Sequence, residues 1–231
     1  MRKGGILAVV MGVLIALSPW VQRQLPPGYD PFSPLSVDDP PTFITRLKMK
    51  HAANHPATCL TVLKQAQASG RLRFNEVDDI SGQCPLLASV RVQGFGSVTL
   101  SSSFLASCPL ALSSTMFVTQ VAVPQAASLG IALTRIDHWG SYACRNIYHR
   151  TEGRLSEHAT ADAWDIAAFQ LSDGRQVSVL NHWSATDDRG RYLRATFQES
   201  CRFFGNALGP EYNAAHANHF HFGMRGFGVC R

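Results

Sequence analysis

Six cysteines stand at positions 59, 84, 108, 144, 201 and 230, and no two form a C-x-x-C pair. That spacing does not suit a zinc ribbon or a thioredoxin-type motif. An even, dispersed set instead reads as up to three disulfides, which persist outside the reducing cytoplasm. Such staples restrict the chain to folds that bring distant segments side by side. Six cysteines allow fifteen pairings. Cys59 with Cys84 is favoured, because the two bracket one helix–turn unit.

The amino terminus supplies the compartment. Arg2 and Lys3 precede an apolar run at residues 6–17, extendable to Val21. A basic start followed by a short apolar segment is export-signal architecture, although it falls short of the ~20 residues of a full bilayer span. The exit, Leu17-Ser18-Pro19-Trp20-Val21, has no small-x-small cleavage site, and Trp20 suits a membrane interface. An uncleaved signal-anchor is favoured over a cleaved signal peptide, and both send the rest of the chain to the periplasm. Residues 1–22 are expected to form a helix detached from the core, tethering the protein to the inner membrane. Residues 23–41 hold Pro26, Pro27, Pro31, Pro34, Pro40 and Pro41, which favour an extended, semi-rigid linker. The folded domain is then residues 42–231, long enough to bury a real core.

Composition narrows the partners. At 45% hydrophobic and 16% charged residues, the chain is too apolar to be disordered. A net charge of +5 suits an anionic envelope polymer. No basic stripe is interleaved with aromatics, so no nucleic-acid partner is expected.

Periodicity gives an α+β fold. Residues 42–52, 58–68 and 109–121 read as helices, and residues 90–92 and 97–100 as a short hairpin around Gly94 and Gly96. In the second half, residues 131–138 and 163–169 read as strands. The Asp173-Gly174 turn then leads into a strand at 176–180, the form of a β-hairpin. Residues 188–208 read as one helix stopped by Gly209-Pro210, and residues 219–222 as a short aromatic strand. The expected order is a helical first half, then a mostly antiparallel sheet crossed by one helix.

Seven of the nine histidines follow residue 137. His219 and His221 are two apart on a strand and share a face. His158 and Asp165 meet only if a turn folds the chain back between them. Two imidazoles and a carboxylate around one ion, with a fourth position open to water, is the ligand chemistry of catalytic zinc. A packing or surface role competes for each motif taken alone. His216 reads as a loop residue near the site. His138, His149 and His182 read as ordinary polar residues, Glu157 as either solvated or catalytic, and Trp139, Trp164 and Trp183 as core.

The segment Ser156-x-His158-x-x-Ala161-x-Ala163-x-Asp165, with the later His219-x-His221, resembles the two motifs of the LAS metallopeptidases. That superfamily holds lysostaphin-type and D-Ala-D-Ala peptidases and hedgehog signalling domains. More narrowly, Gly140-Ser141-Tyr142-Ala143-Cys144-Arg145, Leu155-Ser156-Glu157-His158-Ala159, Leu208-Gly209-Pro210 and Asn218-His219-Phe220-His221 resemble the bacterial extensin-like carboxy-terminal family, from about Cys59 to Cys230. The resemblance implies a Zn2+ ion held by His158, Asp165 and His221. It also implies His219 as an active-site histidine that positions water or stabilises an oxyanion, and Arg145 as a substrate-facing cation. Two positions depart from the superfamily pattern. Ala161 replaces a glycine, and Asn218, which cannot ionise, stands where many relatives place a glutamate base.

The expected function is a zinc-dependent peptidoglycan peptidase, cutting stem peptides or cross-links in the envelope. The alternatives are a non-catalytic, zinc-containing wall-binding or regulatory module, supported by Asn218, and a disulfide-stapled envelope protein without metal.

Overall fold

The computed structural model describes residue 20, residues 24–226 and residues 228–231. The expected membrane helix at 1–22 lies, apart from Trp20, outside the described residues. Among the described residues, no helix is long and apolar enough to cross a membrane.

Two helices open the domain. Thr42 caps α1 (Phe43–Ala53), its side chain accepting from the Thr45 amide. Helix α2 (Pro56–Ala68) starts on its proline, two residues ahead of expectation, because a first-turn proline gives up no hydrogen bond. The proline-rich stretch before α1 packs against the domain. Leu35 and Val37 are buried in the core, and the Gln120 side chain donates to the Val37 and Asp39 carbonyls at 2.7 and 2.9 Å.

A short strand, β1 (Arg73–Glu76), follows without having been expected, and pairs with β2 (Val90–Phe95). The hairpin of β2 and β3 (Val98–Ala106) is longer than its alternation suggested. Helix α3 (Cys108–Phe117) is buried on all sides and therefore sits inside the molecule. A π-helical turn, Val118–Ala122, leads from it into α4 (Val123–Ser128) at Pro124, whose missing amide suits the break. This helical crossover lets β4 (Leu133–Gly140) run parallel to β3, the one parallel strand pair among the described residues.

Strand β5 (Ala163–Leu171) turns through Asp173-Gly174 into β6 (Gln176–Ser178), with Gly174 at φ +84°, where glycine is unstrained. A short helix, α5 (Val179–His182), replaces the end of the strand expected to reach 180. Helix α6 (Asp188–Ser200) is capped by Asp187 and ends eight residues before the expected stop at 208. The residues up to Leu208 instead form strand β7 (Asn206–Leu208), because pairing with β8 (Phe220–Gly223) outweighs the helical periodicity. The sheet order is β1-β2-β3-β4-β5-β8-β7, with β6 also on β5. The fold is thus α+β with a mostly antiparallel sheet.

Three disulfides join all six cysteines: Cys59–Cys108, Cys84–Cys144 and Cys201–Cys230. The favoured Cys59–Cys84 pairing is therefore wrong. Cys59 lies on the buried face of α2, which meets the start of α3, whereas Cys84 belongs to a loop beyond β1 that reaches the segment after β4. Tyr142 reinforces that second contact by donating to the Cys84 carbonyl at 2.9 Å.

Candidate metal centre

One antiparallel pair founds the site. Asp165 on β5 lies directly opposite His221 on β8, so both side chains leave the same face of the sheet. The flanking pairs, Trp164 with Phe222 and Ile166 with Phe220, point the other way and are fully buried. Phe117 of α3 packs edge-on against Phe222 at 5.1 Å. The two-residue period of the strands thus drives four large side chains into the core and lifts the polar pair above it.

His158 arrives by a turn. Residues 157–160 form one 3-10 turn capped by Ser156, and Ala161 then takes a left-handed conformation, φ 52° and ψ 34°. That reversal folds His158 back over Asp165 and accounts for the glycine favoured there in the resembling sequences. The His158 ring is held by its Nδ1, 3.0 Å from the Ser141 carbonyl. A carbonyl only accepts, so Nδ1 donates to it, and Nε2 points at Asp165 Oδ2 at 3.2 Å, the position from which it would bind an ion. His221 Nδ1 lies 2.9 Å from Asp165 Oδ1.

One ligand atom from each of His158, Asp165 and His221 lies within 4.8 Å of the others. Tetrahedral donors at ~2.0–2.1 Å from a zinc ion stand about 3.3 Å apart, and the two nitrogen-to-carboxylate separations, 2.9 Å to Asp165 Oδ1 and 3.2 Å to Oδ2, are close to that value. Two nitrogens and one oxygen also leave a coordination position for water or substrate. The three residues predicted as metal ligands are brought together.

His219 stands beside them, with Nε2 3.7 Å from Asp165 Oδ1. Its Nδ1 donates to the Asn218 side-chain oxygen at 2.9 Å, which leaves Nε2 free to take a proton. The residue in the position of the absent glutamate therefore fixes the tautomer of the adjacent histidine. Burial lowers the His219 pKa, against the opposing pull of Asp165. Arg145 and Trp139 line the same cavity of about 460 Å³ as the ligands and His219. Trp139 is 58% exposed and lies 4.9 Å from the His219 ring, so it forms part of the cavity rim and not the core expected of it. Trp164 is core, as expected.

Glu157 is the residue that sequence reasoning left undecided. It is buried, and its carboxylate accepts from the Arg225 amide at 2.7 Å and from Asn206 Nδ2 at 3.1 and 3.2 Å. His221 Nε2 lies 3.5 Å from its Oε2. His221 is thus bracketed by two carboxylates, one at each ring nitrogen. Burial disfavours the His221 imidazolium, yet hydrogen bonds to Asp165 and Glu157 raise its pKa to about 9. Hydrogen bonds with His158 and His221 hold the Asp165 carboxyl below its ordinary range despite burial, and those with His221, the Arg225 amide and Asn206 do the same for Glu157. No local signal marks Glu157, because its partners Asn206 and Arg225 are 49 and 68 residues away.

His216 also lines the cavity, its ring 5.2 Å from that of His219 and its Nδ1 on Asn213 Oδ1 at 2.7 Å. Burial, with the charges of His221 and His219, lowers its pKa to about 4. His138 is structural: its Nε2 donates to the Ser102 carbonyl at 2.8 Å, and its Nδ1 accepts from the Gly140 amide at 2.9 Å. His182 accepts from the Ser178 amide at 3.0 Å. Two further carboxylates stay out of the site: Asp187 caps α6, and Asp162 accepts from Thr160 at 2.6 Å.

A family model described as Extensin-like protein C-terminus matches residues 57–231. No curated protein and no solved structure matches the chain.

Proposed function

The chain belongs to the extensin-like C-terminal family, and on that premise we propose that it is a zinc-dependent peptidase that cuts an amide bond in the stem peptides or cross-links of peptidoglycan. The reading places it among the LAS metallopeptidases, in the periplasm, tethered to the inner membrane by residues 1–22. One observation carries it: three donors of catalytic-zinc type converge in an open cavity with an uncommitted histidine nitrogen beside them.

His158 Nε2, the Asp165 carboxylate and one His221 nitrogen would hold the ion. Zinc bound there lowers the pKa of a coordinated water toward ~7 and polarises a carbonyl. His219, largely neutral near pH 7 because burial lowers its pKa, accepts a proton at Nε2 and returns it to the departing amine. Its Nδ1 proton stays committed to Asn218. Arg145 offers a guanidinium to a substrate carboxylate from the cavity wall. Asp165 and Glu157 together place two negative charges around the cation, which favours its retention.

Metal analysis and digestion of purified sacculi, with products identified by mass spectrometry, test this reading. The wild-type chain should carry one zinc and release peptide fragments. His158→Ala should lose the metal and all hydrolysis. His219→Ala should keep most of the zinc and lose hydrolysis, because His219 acts on protons and not as a ligand. A zinc-loaded chain that leaves sacculi intact would favour the second reading, a non-catalytic wall-binding or regulatory module, to which Asn218 lends weight.

A further inference from the structure

Helix α1 carries an outward stripe that the fold leaves uncovered. Phe43, Arg46, Leu47 and Lys50 follow the spacing i, i+3, i+4, i+7 and are all exposed, so they line one side of the helix. Beside them lies the proline-rich stretch. It is fixed to the helix by Thr42 and Thr45, which donate to the Gly28 carbonyl, and by Lys48 Nζ on Ser33 Oγ at 2.8 Å. Tyr29 and Phe32 on that stretch are exposed as well. These four apolar side chains (Tyr29, Phe32, Phe43 and Leu47) are between 49% and 77% accessible.

Helix α1 is one-sided in charge, whereas Asp30 and Asp39 on the stretch beside it keep their negative charge. Helix α1 contains Arg46, Lys48 and Lys50 and no acidic residue. The nearby carboxylates are engaged locally. Asp30 accepts from the Phe32 amide at 2.9 Å, Asp38 pairs with Arg71 at 3.0 Å, and Asp39 accepts from the Ser36 amide at 3.0 Å.

The chain also limits how far this patch can travel from the apolar amino-terminal run. Gly28 is already bonded to α1, and the few residues between Val21 and Gly28 reach at most about 25 Å when fully extended. We propose that the α1 stripe, with Tyr29 and Phe32, docks on the surface of an anionic lipid bilayer. The aromatic and leucine side chains enter the headgroup layer while Arg46 and Lys50 meet lipid phosphates. The domain is then held at a set orientation on the membrane instead of swinging on its tether. This inference rests on the reading of residues 6–17 as a membrane segment and is independent of the metal centre.

Spin labelling of the full chain tests it. All six native cysteines are paired, so one nitroxide can be placed at Leu47→Cys and, in a separate sample, at Leu180→Cys on α5, where the side chain is 63% exposed. Each sample is reconstituted into vesicles of phosphatidylglycerol and phosphatidylcholine. The label at 47 should be reached by oxygen and shielded from an aqueous nickel chelate, while the label at 180 remains open to the chelate. Each basic residue near an anionic surface raises the docked population about fivefold, so adding Arg46→Gln and Lys50→Gln should lower it at least tenfold. Purely zwitterionic vesicles should have the same effect. Chain that floats with anionic vesicles yet leaves the label at 47 as open to nickel as the label at 180 overturns the docking. Chain that does not float with vesicles at all overturns the membrane-segment reading, and the docking falls with it.

Discussion

Which ring nitrogen carries a proton decides how each histidine serves the centre. Ser141 claims Nδ1 of His158 and Asn218 claims Nδ1 of His219, so both present Nε2 to the cavity. His221 is different, because Asp165 and Glu157 flank its two nitrogens. Glu157 is therefore a positioning residue that orients His221 and raises its basicity. Glu157→Gln keeps the shape but removes the charge, and should weaken zinc binding ~10–100-fold in a chelator competition. Unchanged affinity would reduce Glu157 to a staple for Asn206 and the Arg225 amide. The His221 proton has a second consequence. Its pKa is raised, so its stabilisation of the metal-free fold is complete below the ordinary value of 6.5 and is lost as pH rises through about 9. The same proton competes with zinc. Uptake at pH 7 should release about one proton, with affinity rising about tenfold per pH unit and levelling near pH 9. Calorimetry in buffers of different ionisation enthalpy counts that proton, and a flat affinity across this range would contradict the assignment.

Among the elements, β8 does the most for its length. Four residues supply two core aromatics, one proposed ligand and, at Gly223, the space in which Glu157 sits. A Cβ on Gly223 would lie 2.6 Å from Asn206 Nδ2 and from both Glu157 carboxylate oxygens. Gly223→Ala should therefore cost about 1–3 kcal/mol in denaturant unfolding and lower zinc affinity by displacing Glu157. A variant as stable and as zinc-avid as wild type would contradict this contact. The strands that carry Asp165 and His221 were legible in the sequence, since Trp164, Ile166, Phe220 and Phe222 alternate with those two residues. The Asp173-Gly174 turn and helices α1 and α2 were legible for similar local reasons. Strand β1, the early end of α6 and the passage from helix to strand at Asn206 were not, because each depends on a neighbour far away in the chain. Glu157 and the disulfide partners escaped for the same reason. The resemblance did point to the three residues that converge, His158, Asp165 and His221, since they lie in two short motifs.

Across the whole molecule, the three disulfides divide the labour unevenly. Cys59–Cys108 and Cys84–Cys144 span overlapping stretches, and Cys201–Cys230 closes a third. A single peptide-bond cut anywhere from Cys59 to Cys144, or from Cys201 to Cys230, leaves one covalently continuous body. A cut between Cys144 and Cys201 does not, and both His158 and Asp165 lie there. Limited proteolysis followed by non-reducing electrophoresis should show the difference: among cuts between Cys59 and Cys230, only those between Cys144 and Cys201 separate the fragments. Separation after a cut between Cys84 and Cys108 would refute the pairing. Two of the three proposed donors thus lie in the one long stretch past Cys59 that no bridge spans, held there by non-covalent contacts such as the pairing of β5 with β4, β6 and β8 and the bond from His158 Nδ1 to the Ser141 carbonyl. To any protease that reaches it, that stretch is a fuse: one incision between His158 and Cys201 leaves the three proposed donors on two separate pieces, while incisions in the bridged regions leave a scar and an intact assembly.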